Sequence, residues 1–299
     1  MKTEASSAQD INRDGTLDST TPVYWDGRQQ NLTATGKPVY KITALAVLPG
    51  GSRSMLQLEG SEPPPYSADA AIASQDEVKL QGNFSVSGID YCSQSGTVYG
   101  VKTTQDINTA GHAGTVTGLT GPSPSASGTY ENAPSTYDVV ILINSLKAYA
   151  TPIQQVDTSV SYNASINTYS GSKVTLGNPP PNPPPAGNNG TPAIVYSGGN
   201  VSLTSNNSKG CGILIVDGDL NVNGGLYYHG LIVVRGIVSF TGGGSNSVNI
   251  YGSIVSRSSL INSSNVGGGV NVVYDSCAIK NPYNAFPLKI LAFREIVNY

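Results

Sequence analysis

Oxygen-bearing side chains crowd near the start of the chain, in Asp10-Ile11-Asn12-Arg13-Asp14-Gly15-Thr16-Leu17-Asp18. Asp10, Asn12, Asp14 and Asp18 fall at the first, third, fifth and ninth positions of a loop. Gly15 stands sixth, and the Thr16 carbonyl is available at the seventh. A hard cation such as Ca2+ takes about six to eight oxygens from a tightly turned loop, and a central glycine permits that turn. The twelfth position is Thr21, where a full loop of this type carries a bidentate glutamate; Asp26 is placed to complete the shell from outside. The spacing predicts a Ca2+ site at Asp10, Asn12, Asp14, Thr16 and Asp18, against the plainer alternative of a solvated Asx-rich turn.

A second group is Asp217 and Asp219, two residues apart, so that both carboxylates face one way on an extended chain. Paired carboxylates serve polysaccharide hydrolysis. Arg235, however, stacks on Asp217 at an offset of 18 residues, and an ion pair between successive turns accounts for both. His112 and His229 have no acidic companion nearby in sequence, and no nucleophile elbow, phosphate loop or dinucleotide fingerprint occurs. No catalytic residue and no enzyme activity are expected. Binding fits better. Tyr196, Tyr227, Tyr228 and Tyr251 are expected on an exposed low-charge face suited to carbohydrate or protein. Lys209, Arg235 and Arg257 follow at intervals of 26 and 22 residues and would form a sparse basic stripe able to meet nucleic-acid phosphates.

What must position these residues is legible in composition. Of 299 residues only 12% are charged, while 35 are glycine, 19 proline and 17 tyrosine. Soluble domains carry roughly 25% charged residues, and a helical bundle would need Ala, Glu, Lys and Leu instead. The net charge of -3 argues against a broad basic face for DNA. The texture is that of an all-β protein with a neutral polar surface. No stretch reaches the roughly 18 apolar residues of a membrane-spanning helix, and the first residues form no signal peptide. A cell-surface location therefore requires an export or anchoring segment upstream. Cys92, Cys211 and Cys277 make no C-x-x-C pair. They leave open one disulfide with one free thiol, or three buried thiols.

Val39–Val47 and Ser52–Glu59 read as a hairpin around Pro49-Gly50-Gly51. Pro63-Pro64-Pro65 ends that unit, and residues 137–150 are the best helix candidate. Residues 178–186, with six prolines, read as a linker or extended loop. Residues 191–277 hold a repeat. Val216-Asp217-Gly218-Asp219-Leu220-Asn221-Val222 aligns with Val234-Arg235-Gly236-Ile237-Val238-Ser239-Phe240. Looser copies run from Val195, Ile250 and Val270. An apolar strand, a glycine corner, a short alternating strand and another glycine corner describe one turn of a β-solenoid. The expected organisation is a hairpin module at 1–62, first solenoid strands at 63–90, and a loop-rich insertion with one helix at 91–190. The solenoid proper spans 191–280 and a closing strand 281–299.

These pieces together resemble the PilX-type pilus assembly proteins, minor pilins of bacterial type IV pili. The resemblance rests on Pro38–Ala44 with Gly51–Gln57, on Gly212–Leu220, Gly230–Val234 and Tyr274–Cys277, and on the closing Lys289–Glu295. It implies a truncated pilin-like module joined to a right-handed β-solenoid, a place in an extracellular pilus, and other pilin subunits as partners. It also implies a hydrophobic N-terminal helix that holds the precursor in the inner membrane; this chain carries no such helix and would be a fragment beginning near that helix's end. The layout is similar to that of competence-associated minor pilins at pilus tips. The function expected is display of the solenoid for adhesion or ligand binding. A DNA receptor for transformation and a polysaccharide-cleaving enzyme are the alternatives.

Overall fold

The computed structural model describes residues 24–25, 30–31, 37–62, 66–93, 96–103, 107–108, 114–119, 130–132, 138–153, 162–163, 168–169, 176–185, 189–203, 208–240, 247–262, 269–286 and 289–296. The Ca2+ loop expected at 10–18 and His112 lie outside the described residues. The protein is mostly β, and it divides into two compact units, Met1–Pro65 with Ala285–Tyr299, and Tyr66–Asn284.

The first unit contains β1 (Tyr24–Trp25), β2 (Gln30–Asn31), β3 (Lys37–Val47), β4 (Arg53–Ser61) and the last strand of the chain, Lys289–Ile296. They form an antiparallel sheet in the order β2-β1-β3-β4-last. The β3–β4 turn uses Gly51 at φ 84°, with Leu48 N–H donating to Ser52 O at 2.9 Å. Register places Ile42 opposite Leu58 and Leu58 opposite Phe293, so these residues share a face. Leu56 and Ile290 belong to the same face, opposite Ala44 and Gly60. The other face carries a polar ladder. Gln57 Nε2 donates to Thr43 Oγ1 at 3.2 Å, and Arg294 Nε donates to Gln57 Oε1 at 2.7 Å.

The second unit begins with β5 (Ala70–Ser74), β6 (Val78–Gln81), β7 (Phe84–Ser87), β8 (Tyr99–Thr103), β9 (Ile107–Asn108), β10 (Thr115–Thr117) and β11 (Tyr130–Asn132). Helix α1 (Val139–Leu146) follows, then β12 (Thr151–Ile153) and a two-stranded ribbon, β13 (Tyr162–Asn163) with β14 (Thr168–Tyr169). The chain continues through β15 (Ala193–Ser197), β16 (Val201–Leu203), β17 (Ser208–Val216), β18 (Leu220–Val222), β19 (Leu226–Phe240), β20 (Val248–Asn262) and β21 (Val270–Tyr274). It ends in the short helix α2 (Ser276–Lys280). The last strand of the first unit is β22 (Lys289–Ile296).

All pairings of the large sheet are parallel, and they build three walls. One wall runs β12, β15, Gly212–Val216, Gly230–Val234, Gly252–Ser256, β5, β8, β11. The second runs β16, β18, Val238–Phe240, Ser259–Asn262, β6, β9. The third runs Ser208–Cys211, Leu226–His229, Val248–Tyr251, β21, β7, β10. The 18-residue alignment of the sequence is the observed pairing, since Val216 stands opposite Val234 and Leu220 opposite Val238. The core is a set of columns, such as Leu214, Ile232, Ile254, Ile72 and Val101, each residue stacked on its equivalent.

The first wall is buried on both sides, which is why Ile213–Val216 and Leu231–Val234 are continuously apolar rather than alternating. Helix α1 packs on β19 and β20 and buries Val139, Ile143 and Leu146, one stripe at helical spacing. Asp138 caps it, its Oδ1 accepting from Val140 N at 2.8 Å and Ile141 N at 3.2 Å. Cap and burial outweigh the β-branched run.

The segment 91–190 differs from the loop-rich insertion expected of it. β8 to β11 within it are rungs of the same stack. The chain enters the stack at β5, climbs to β11, returns by way of α1 to the far end at β12, and coils back until β21 lies between β20 and β7. One layer is therefore composite: β21 from the unit's end, β5 and β6 from its beginning.

Candidate functional site

The corner between the first and second walls gathers several of the expected binding residues. Backbone bonds stack it, Asp217 N to Ser197 O at 2.8 Å and Gly236 N to Gly218 O at 2.9 Å. Short acceptor side chains stack it again: Asn200 Oδ1 accepts from Asp219 N at 2.9 Å, and Asp219 Oδ1 accepts from Ile237 N at 2.8 Å. Asp217 takes the Tyr196 hydroxyl on Oδ2 at 3.1 Å and Arg235 Nη1 on Oδ1 at 3.0 Å. Burial, then the bond to Asp217, raises the Tyr196 phenol above its ordinary value. Because Val234 pairs with Ser256, Arg257 follows Arg235 on the next rung, where it donates to Asp76 Oδ2 at 2.9 Å. Tyr196, Asp217, Arg235, Arg257 and Asp76 thus line one corner, each arginine bonded to an acid. The ion pair expected between Asp217 and Arg235 is present, and both carboxylates of the Asp217/Asp219 pair are engaged in bonds between rungs.

Lys209 stands elsewhere, on the third wall opposite Tyr227, so it forms no stripe with the two arginines. Tyr227 is half-buried and donates to Pro181 O at 3.0 Å. Tyr251, only 7% exposed, meets Tyr91 edge-on at 5.0 Å between centroids and Tyr227 at 6.1 Å. Tyr91 in turn donates to Pro184 O at 3.1 Å. Burial pushes the Tyr227 and Tyr251 phenols up. The proline-rich stretch is held by these tyrosine hydroxyls rather than free as a linker. Tyr228 is 1% exposed, opposite Ile250 in the core. Strand alternation sends Tyr227 and Tyr228 to opposite sides, so Tyr228 and Tyr251 do not belong to an exposed face as expected. The part of the third wall open to solvent carries Asn249, Asn271, Ser85 and Thr115 in register. Asn271 Nδ2 reaches Asn249 Oδ1 at 3.5 Å. This row offers amides and hydroxyls, and the exposed Lys209 continues it beyond Tyr227 in the same register.

Of the cysteines, Cys92 and Cys277 form a disulfide and Cys211 is a buried thiol. Its Sγ donates to Asn189 O at 3.1 Å, and burial pushes it up to about 12, which makes it unreactive. His229 is buried beside Asp275, Nε2 to Oδ2 at 3.5 Å, and its Nδ1 has no hydrogen-bond partner among the described residues. Two clusters have no short-range sequence signal. Asp90 is buried and accepts from Ser276 N at 3.0 Å, Ser276 Oγ at 2.7 Å, Ser93 Oγ at 2.7 Å and Cys92 N at 3.2 Å. Burial alone would raise its pKa, but these four bonds outweigh it and hold the carboxyl below its ordinary value. Ser74, Ser256 and Ser259 form a buried hydroxyl triangle with sides of 2.9, 2.9 and 2.8 Å.

No protein-family model and no curated protein matches the chain. Among solved structures, the crystal structure of the competence-associated pilin ComZ from Thermus thermophilus superposes on it with a TM-score of 0.26 and 11% identity, over 100% of this chain and 92% of that one. At that score and identity the superposition does not establish a shared fold.

Proposed function

We propose that the chain is a minor pilin of a bacterial type IV pilus, which displays its parallel coil at or near the filament tip for adhesion to a neutral polar ligand such as surface carbohydrate or protein. The observation that carries the reading is the apolar face of the first unit. Ile42 is 40% exposed, Leu56 39%, Ile290 60% and Phe293 61%, all on one side of an antiparallel sheet whose other side holds the polar ladder of exposed Thr43, buried Gln57 and exposed Arg294. A sheet with its apolar residues outward suits a subunit that packs against other pilin subunits. The hairpin and coil residues that resemble PilX-type proteins support the same assignment. A disulfide suits an extracytoplasmic location. We read the role as non-catalytic, since Asp217 and Asp219, the candidate carboxylate pair, are both engaged in bonds between rungs. Ca2+ held by Asp10, Asn12, Asp14, Thr16 and Asp18 belongs to this reading as a rigidifying ion. DNA is not proposed as a ligand, because Arg235 and Arg257 are each neutralised by an aspartate.

The test is incorporation. In a bacterium that makes the protein, sheared filaments probed for it should contain it, and Phe293→Asp should reduce that amount while the soluble protein keeps its melting temperature. Filaments free of the protein in the wild type would overturn the assignment.

A further inference from the structure

The composite layer is the one place where the coil is not continuous along the chain. β21 is inserted between β20 and β7, while β5 and β6 lie between β20 and the β8–β9 layer. Joining Tyr274 to Asp69 and cutting after β11 would give one uninterrupted coil. As built, the two halves of the stack meet here through noncovalent pairing alone, apart from one bond.

Apolar pairs such as Ile254 with Ile72 and Val272 with Val86 cross this junction, but buried hydroxyls interrupt them. Passing from β19 to β20, Leu231 is matched by Ser253, Val234 by Ser256 and Val238 by Ser259. Ser256 is matched in turn by Ser74 of β5. Ser253 donates to Ala70 O at 2.8 Å, and the other three close the hydroxyl triangle. These hydroxyls are satisfied, but each replaces a side chain whose burial would drive association of the two halves.

What compensates is a clasp. The Cys92–Cys277 bond ties the loop after β7 to α2, directly after β21. The Asp90 cluster joins the same two segments through Ser276, and Tyr91 N donates to Tyr274 O at 2.9 Å. Helix α2 meanwhile packs over β17, β19 and β20, whose outer positions there are Cys211, His229 and Tyr251 in register.

From this arrangement we infer that the junction is a redox-gated seam. A dithiol reductant attacks the exposed Cys92 sulfur or its partner, gives up two electrons and two protons as it closes to its own disulfide, and leaves Cys92 and Cys277 as thiols. With the bond gone, β21 and α2 leave their places, the coil parts between β20 and the β7–β8 rung, and the surface under α2 opens. The remaining rungs, with Val and Leu cores and unbroken chain continuity, stay closed. The inference does not depend on the pilin assignment.

Cys211 reports the opening. The folded full-length protein is treated with a phosphine reductant at neutral pH, then alkylated without denaturant, and the labels are counted by intact mass. Amide hydrogen exchange is followed in parallel. Opening of the seam gives three labels, with rapid exchange in β21, α2 and β5 and retained protection in β18 and β19. A Cys92→Ser/Cys277→Ser variant should label Cys211 without reductant. Two labels after complete reduction would show that the junction holds without its bond and overturn the inference. Three labels with protection lost throughout would overturn it equally, since the bond would then support the whole coil rather than a seam.

Discussion

Replacing Gly230 by alanine tests the stacked geometry at its tightest point. Gly212, Gly230 and Gly252 stand opposite one another where the third wall turns into the first, with φ of 117°, 147° and 146°. A Cβ on Gly230 would lie 2.0 Å from Gly212 O and 2.9 Å from Gly212 C and N. To bring that 2.0 Å approach to an ordinary contact of 3.4 Å the two rungs must separate by about 1.4 Å, against an interstrand spacing of about 4.8 Å. Holding an alanine in a backbone region used almost only by glycine costs about 1–3 kcal/mol. Stretching one or two ladder hydrogen bonds adds about 1 kcal/mol each. The expected loss is about 2–5 kcal/mol, or on the order of 10 °C in melting temperature for a unit of this size. Gly198→Ala is the control, because the nearest atom to its added Cβ is Tyr196 Oη at 3.7 Å and its φ is not positive. It should cost less than about 1 kcal/mol. Thermal denaturation followed by circular dichroism at the β-sheet minimum measures both variants. Equal melting temperatures for the two would refute the claim that close rung approach makes Gly230 obligatory.

Asp90→Asn should destabilise the protein at neutral pH by about 1–3 kcal/mol, because the carboxylate accepts four buried or half-buried bonds. Since folding lowers the Asp90 pKa, its contribution is complete above the unfolded value of about 3.9 and is lost as pH falls through the folded value. The gap between wild type and variant in denaturant midpoint should therefore close below about pH 4; a constant gap would refute the assignment. Asp219→Ala should cost about 1 kcal/mol by freeing the Ile237 N–H, while Asp219→Asn, which keeps the accepting oxygen, should cost little. A calorimetric scan in which both changes were neutral would return Asp219 to the list of unexplained acids. Asp14→Ala should lower the melting temperature only when Ca2+ is present, and an equal loss in chelator would remove the ion from the proposal.

Local pattern reached some of this architecture and missed the rest for identifiable reasons. The pairing of Val216 with Val234, the glycine corners and the hairpin at Pro49-Gly50-Gly51 were legible because each depends on residues close together or evenly repeated. Asp217 with Arg235 was legible for the same reason, as neighbours one turn apart. Tyr228 falls outside the expected tyrosine face because strand alternation alone separates it from Tyr227. The rungs at 99–132 leave no periodic signal because their strands are short and irregularly spaced, down to two residues in Ile107–Asn108. Their stability comes from neighbours distant in sequence, which no local window contains. The buried companion of His229, Asp275, was hidden in the same way.

The order of the chain explains where the legible repeat stops. From β15 to β21 each rung stacks on the one just before it, so the equivalent residues recur at 19, then 18, then 22 residues and the pattern is visible. At β21 the next layer comes from the other end of the unit, with Ser256 matched to Ser74 at a separation of 182 residues. A repeat cannot be seen across such a jump, and repetition cannot hold it together either, since loop closure over that span opposes pairing until most of the coil exists. This layer is therefore held by different chemistry: hydroxyls that bond to one another, a buried carboxylate with four donors, and a disulfide between residues 185 apart. The residues that fall outside the repeat are the ones that close it. That makes the seam, rather than any rung, the part of the coil whose state an external reductant can set.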